Sequence, residues 1–454
     1  MSARRWLPLV AACIGTFLLL TYATITTIAV PSIASSLDGS RGSTSWIVDA
    51  YTLALAALLV GMGVLGDAWG RKRLYLTASA AFLGATVVCA VAPSITTLVV
   101  ARGAQGVAAA GMFASLLPLL NGSYSGTERR FAFAVWGAVA GFAAGLRNIA
   151  GGILTQFFDW RAVFYVGIPV TLVGLILAVL AFSETEPSRV PIDWLGIGLF
   201  TAAALATVVG LTSGGESGWT GPQAVASFFV AVAAMTAFVH RQRRVAHPVL
   251  DPAMFRSSRF DGVLIAAFGY YLAAYGPLVV LSLWLQNTLG LSAIAAAGVL
   301  SIQPAAFVVI SGCFGSRLQR ADLRIGLGLG TVLCGLGCVA LLYVLVHPDW
   351  QALVAGLVLT GVGSALVSPV LPGASMSDVP ATRTGAASAS ANSSRQFGLA
   401  VGIAVCGSLF AGTSETVLMW PLIFCAAVGI ASGALSIALF SVSHTVPPEE
   451  RVRV

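Results

Sequence analysis

The sequence predicts an all-α polytopic membrane protein, on three observations. Only 9% of its 454 residues are charged and 57% are hydrophobic, with a mean hydropathy of +0.91. Soluble globular proteins carry about 25% charged residues. Apolar runs of about 20 residues, the helix length that spans a bilayer's hydrocarbon core, recur along the whole chain. The basic residues between those runs are dense in one set of breaks and sparse in the other, as the positive-inside rule requires.

Fourteen candidate spans follow in order. The first, 8–31, opens after Arg4 and Arg5 like a signal peptide, but its run is long and more spans follow, so it reads as a retained helix. The second and third, 44–66 and 74–94, flank the polar break "LGDAWGRKRLYL". The fourth, 95–119, contains Arg102, and the fifth, 131–155, contains Arg147 and Asn148. The sixth, seventh and eighth are 161–183, 193–213 and 221–240. They lead into the amphipathic bridge "HRQRRVAHPVLDPAMFRSSRF" (240–260). The ninth, 261–287, holds "FGYYLAAYGP"; the tenth, 292–315, is interrupted by Gln303 and Pro304. Spans 324–347, 350–373, 386–411 and 415–441 complete the set, and the thirteenth holds Asn392, Arg395 and Gln396.

With the N-terminus placed in the cytoplasm, 19 of the 24 basic residues fall on the inner side. Only Arg41 and Arg161 fall outside, and Arg102, Arg147 and Arg395 remain within the membrane. An even number of spans then puts both termini in the cytoplasm, with the chain in a bacterial inner membrane. The net charge of +7 is therefore topological, and no nucleic-acid partner is needed to explain it. The seven cysteines all lie in apolar segments, and their odd number speaks against a disulfide framework. Cys334 and Cys338 are one helical turn apart, but no His, Asp or Glu is near to complete a metal site, so they read as packing. No metal and no other cofactor is expected. With four histidines and no sizeable soluble domain, a membrane-embedded enzyme or receptor is disfavoured.

The chain also repeats. "LGDAWGRKRLYL" after the second span is matched by "GCFGSRLQRADLRIGL" after the tenth. Setting aside spans seven and eight leaves two units of six, in which these loops hold equivalent positions. The expected division is a six-helix bundle over 1–190, two inserted helices and a linker over 191–245, and a second six-helix bundle over 246–454. Such a duplication is expected of a transporter whose halves rock about a midplane site.

Several motifs resemble the major facilitator superfamily, in its fourteen-helix drug:proton antiporter branch. "GVLGDAWGRKRLYL" (63–76) is similar to the family's loop between the second and third helices, with Gly63, Asp67, Gly70, Arg71 and Lys72 in place. Ala68 stands where that pattern has a basic residue. "ARGAQGVAAAG" (101–111) resembles the fourth-helix motif, and "GAASASANSSRQFGLAVGIAVCGSL" the branch's penultimate helix. The likeness implies a fold of two six-helix bundles plus two further helices, a loop at 63–72 that gates the cytoplasmic side, and proton-coupled export. Two departures stand out. Tyr22 and Thr27 occupy first-helix positions where many relatives have Asp and Asn, and Arg147 and Asn148 replace the Gly-Pro of the fifth-helix antiporter motif, with Gly151 and Gly152 retained.

Proton coupling needs a buried group that gains and loses a proton, and desolvation raises a carboxylate toward that role. Asp49 is the one acid clearly within a span; Asp67, Asp193 and Asp261 sit at helix ends, where capping or pairing with arginine suffices. Two readings of Asp49 stand: a proton or cation site, or an interfacial charge favoured by the helix dipole. Arg102 lies at a depth from which it reaches Asp49, either as a switching partner or as a static buried charge, and Gln105 shares its face. The candidate substrate residues are Tyr22, Gln105, Arg147, Asn148, Tyr271, Tyr275, Gln303, Asn392 and Arg395, since polar groups within spans face the interior and rings with a few amides suit a bulky ligand. Arg147 is read either as an attractor of anionic groups or as a charge that snorkels or pairs, for instance with Asp49. The expected function is proton-driven export of a small amphipathic compound by a monomer, with protons and the lipid bilayer as its other partners. The alternative is the same fold as a non-antiport facilitator or a lipid or metabolite transporter.

Overall fold

A computed structural model describes residues 3–37, 41–185, 191–246, 248–249, 254–318, 322–377, 379, 384–410 and 417–442. The side chains of Asp49, Arg147 and Asn148 lie outside the described residues, although their backbone falls within helices.

All regular structure among the described residues is helical. The first half comprises α1 (Leu7–Ser36), α2 (Arg41–Trp69), α3 (Arg71–Ala90), α4 (Ile95–Ser123), α5 (Gly126–Phe157) and α6 (Ala162–Ala181). A hairpin of α7 (Trp194–Ser217) and α8 (Pro222–Gln242) follows. The second half comprises α9 (Ser258–Tyr275), α10 (Leu278–Asn287), α11 (Ala293–Leu300), α12 (Ile302–Leu318), α13 (Gly330–Leu341), α14 (Val354–Val367), α15 (Leu371–Ser377), α16 (Thr384–Leu409) and α17 (Met419–Val442). Twelve helices among the described residues are long and apolar enough to cross a membrane. The other two long helices, α5 with 32 residues and α16 with 26, are not in that set. α16 opens on the polar run "TGAASASANSSRQ", which lowers its hydropathy.

Large apolar side chains such as Leu180, Phe229 and Val232 are exposed on α6 and α8. That belt suits contact with lipid, not water.

Buried apolar residues gather in two main clusters, one drawn from Leu9 to Phe182 and the other from Val263 to Phe440. Across the seam between them α2 packs on α16, α5 on α11 and α12, and α4 on α16. α7 leans on both α2 and α16, with Ile197 against Gly61 and Ser408 against Gly215. Asp193 caps α7 by accepting from Gly196 N–H at 2.9 Å, and also accepts from Arg241 Nε at 2.8 Å at the end of α8. Burial pushes the Asp193 carboxyl up, but these hydrogen bonds, with Gln242 and the Arg241 charge, outweigh it and hold it below the usual carboxylate range.

The two halves repeat one close packing. Gly106 of α4 lies against Tyr51 and Ala54 of α2; a Cβ there would collide with Tyr51 O and meet Ala54 Cβ at 2.9 Å. Gly361 of α14 lies against Gln303 and Ala306 of α12 in the same i, i+3 arrangement, where a Cβ would collide with Gln303 O and meet Ala306 Cβ at 2.8 Å. Glycine lets the helices touch where any side chain would wedge them apart. Gly106→Ala is therefore expected to cost about 1–3 kcal/mol by overpacking, seen as a lower melting temperature in detergent.

The second half is also broken where the first is continuous. Gly276 and Pro277 separate α9 from α10, and Ser301 separates α11 from α12. A third interruption at 368–370 separates α14 from α15. The tenth span breaks at Ser301, just before Gln303 and Pro304, and Pro304 sits in the first turn of α12, where a missing N–H is tolerated. Pro277 has no N–H to offer the Ala273 carbonyl one turn earlier. The Cys338 thiol donates to Ala273 O at 3.1 Å instead, and Gln303 Nε2 donates to Ala274 O at 2.7 Å.

Candidate functional site

Arg102 is fully buried on α4. Its Nε donates to Ile47 O at 2.9 Å, Nη1 to Gln105 Oε1 at 2.6 Å, and Nη2 to Tyr22 O at 2.8 Å and Thr26 Oγ1 at 3.4 Å. The guanidinium lies 4.4 Å from the centre of the Tyr51 ring, a cation–π contact. Gln105 passes the network to α3 by donating Nε2 to Thr86 Oγ1 at 2.8 Å. One side chain thus ties α1, α2 and α4 directly and α3 through its neighbour. Among the described residues its partners are neutral acceptors, and no carboxylate pairs with it. Asp49 stands on α2 between Ile47 and Tyr51, the two residues through which that helix meets Arg102.

Tyr22 is placed in the same network, but its hydroxyl is committed to Val163 O at 2.8 Å and its ring packs on Phe82 and Phe164. Gly167 makes room for it.

In the second half, Arg395 lies in the middle of α16 and is 3% exposed. Its Nη2 donates to Tyr271 OH at 2.9 Å, and its guanidinium lies 4.5 Å from the Tyr271 ring centre and 5.8 Å from that of Phe113, across the seam on α4. Tyr270, Tyr271 and Tyr275 form a cluster with ring centres 4.9–5.9 Å apart. Gln303 is spent on the α9 break, and Asn392 Nδ2 donates within its own helix to Ser388 O at 3.1 Å. The structure therefore brings Arg395, Tyr271 and Tyr275 together, and Arg102, Gln105 and Tyr22 together, as two separate groups.

At the α2–α3 loop, Arg71 Nε and Nη2 donate to Asp67 Oδ1 at 2.9 Å and 2.6 Å, one turn apart, with Gly63 a turn before on α2. Gly70 has φ +106°, in the region that favours glycine, and a Cβ there would meet Glu184 Oε1 at 2.8 Å. Glu184 was not singled out from the sequence. Its carboxylate accepts from Lys72 N–H and Arg73 N–H, both at 3.1 Å, and so seats on the positive end of α3. Thr185 Oγ1 accepts from Arg71 N–H at 3.1 Å, and Lys72 Nζ reaches Val179 O at 3.0 Å. The end of α6 is thereby latched onto the loop. A polar "SETE" after an apolar run marks a helix end, and nothing local says which helix it will cap.

The description "Major Facilitator Superfamily" matches residues 12–239, 194–403 and 263–454. The chain belongs to this superfamily. Relatives within it include the multidrug resistance protein Stp of Mycobacterium tuberculosis, 30% identical over 413 residues that cover 90% of this chain and 77% of that one. The multidrug efflux pump LfrA of Mycolicibacterium smegmatis is 32% identical over 413 residues, 90% and 81% of the two chains. The puromycin resistance protein pur8 of Streptomyces alboniger is 31% identical over 423 residues, 91% and 84%. In fold the chain is similar to the human organic anion transporter MFSD10, with a TM-score of 0.67 at 14% identity, covering 97% of this chain and all of that one. These relatives are named as multidrug resistance, multidrug efflux and puromycin resistance proteins, and family membership makes this chain a membrane transporter of the major facilitator superfamily.

Proposed function

We propose that this major-facilitator protein is a proton-coupled exporter of a small amphipathic compound, working by alternating access. Its substrate site lies between a bundle over 1–190 and a bundle over 246–454, with 191–245 inserted beside their seam. The observation that carries the reading is the polar seam itself. Arg395 sits at mid-helix over Phe113 of the other half, and its tyrosines run to the end of α9 at the α9–α10 break. Discontinuous helices at the interface of two repeats are where such transporters bind cargo. The names of the efflux relatives support export of a drug or antibiotic.

α5 and α16 are the remaining two of fourteen spans, both termini lie in the cytoplasm, and the protein acts as a monomer in a bacterial inner membrane. Asp49 carries the proton beside the Arg102 network, and Asp67, Gly70, Arg71 and Lys72 form the cytoplasmic gate that Glu184 latches. Tyr22, Gln105, Arg147, Asn148, Gln303 and Asn392 line or shape the path around Tyr271, Tyr275 and Arg395. The inward driving force on one proton is about 2.3 kcal/mol per 100 mV. At about 1.4 kcal/mol per tenfold ratio that sustains roughly a fifty-fold gradient.

The loss of Gly-Pro at Arg147 and Asn148 favours a second reading, transport without antiport. Expression in a puromycin-sensitive bacterium separates the two. Coupled export is expected to lower puromycin accumulation severalfold, and a protonophore to return it to the level of cells without the protein. Export that ignores the protonophore would overturn the coupling.

A further inference from the structure

We propose that Arg395 is the docking point for an anionic oxygen, a carboxylate or phenolate, carried on a planar aromatic cargo. The proposal rests on the reading of this chain as an exporter and names one class of compound that its site receives.

The two described intramembrane arginines are satisfied to very different degrees. Arg102 makes four hydrogen bonds to carbonyl, amide and hydroxyl acceptors of its own half, so its charge is fully employed in holding helices together. Arg395, almost as far removed from solvent, makes one among the described residues, from Nη2 to the Tyr271 hydroxyl. Its Nε is buried and has no partner among the described residues, and no described carboxylate forms an ion pair with it. A buried charged donor left unmet is among the costlier arrangements a protein can hold, and a native one calls for a missing partner.

The surroundings say what that partner is. Nε and Nη1 of a guanidinium present planar donors, which suit oxygen anions. The groups around them are the rings of Tyr271 at 4.5 Å and Phe113 at 5.8 Å, with Tyr270 edge-on and Tyr275 tilted against Tyr271. Flat apolar surface beside an anion receptor fits an aromatic acid. Arg395 and Tyr271 belong to the second half and Phe113 to the first, so a cargo seated there bridges the two bodies that must move against each other.

The test is binding, measured with the purified protein in lipid nanodiscs at neutral pH, using anthracene carboxylate and its neutral methyl ester as fluorescent probes. The native protein is expected to prefer the acid by about tenfold or more, the range of a charge-assisted pair. Arg395→Gln is expected to abolish the preference while still binding the ester within about twofold of native, which also reports a folded site. Arg395→Lys keeps a charge but loses the planar pair of donors and is expected to weaken the preference while still binding the ester, which covers the case where Arg395→Gln fails to fold. Equal affinity for acid and ester, no binding of the acid, or a preference that survives Arg395→Gln overturns the proposal. Preferential acid binding without transport of either probe would count against the exporter reading and leave this assignment standing.

Discussion

Arg102→Leu is expected to lower stability by about 3–5 kcal/mol, the cost of breaking a buried charged network. The substitution deletes donors to Ile47 O, Tyr22 O and Gln105 Oε1 at once, in a region with no water to replace them. It also removes the cation from the face of Tyr51, whose hydroxyl holds Leu19 O at 3.0 Å. Four helices of the first half lose a shared anchor. Against a usual total of about 5–15 kcal/mol the loss is large. It is read as a fall in melting temperature and a loss of monodisperse protein in detergent. Arg102→Lys is expected to fall almost as far, because one ammonium cannot span acceptors on α1, α2 and α4 together. A stable Arg102→Leu protein that binds cargo but fails to move protons would instead make Arg102 a switching partner.

Asp49→Asn is expected to abolish proton-coupled efflux and leave the protein folded. The residue stands where α2 meets Arg102, and an amide keeps the size of the side chain while removing the titratable proton. The two substitutions at this corner of the molecule should therefore separate cleanly, one striking the fold and the other the coupling. Inverted vesicles with an imposed pH gradient provide the measurement, with size-exclusion behaviour as the control. Undiminished efflux from Asp49→Asn would remove that residue from the mechanism.

The features legible in the sequence were those written at local spacing. Asp67 and Arg71, four residues apart across the α2–α3 turn, and Arg102 and Gln105, three apart on α4, meet because they are close in sequence, and the structure pairs both. Asp193 and its α7 cap follow from a short polar residue before an apolar run. The doubling of the chain, read from two loops, has a counterpart in the matched packings of Gly106 and Gly361. The contacts that were not legible depend on how distant helices cross. Glu184 finds the start of α3 from more than a hundred residues away. Thr86 looks like any helical threonine until Gln105 donates to it. Gln303 reads from sequence as a ligand amide, yet its nitrogen donates to the Ala274 carbonyl beside the α9–α10 break on another helix. Phe113 became visible only because it faces Arg395 across the seam. Composition cannot distinguish a satisfied buried arginine from an unsatisfied one. Coordinates do, and here they show Arg102 committed to acceptors of its own half while Arg395 Nε has no partner among the described residues.

Proton movement driven by substrate tests the central claim most directly. The protein is reconstituted into proteoliposomes holding a pH-sensitive dye, with the same pH on both sides, and a substrate gradient is imposed across the membrane. Coupled exchange is expected to move protons opposite to the substrate, to vanish in Asp49→Asn, and to persist without any counter-ion other than H⁺. Substrate that crosses with no change in lumenal pH would contradict proton antiport and leave a facilitator on the same fold.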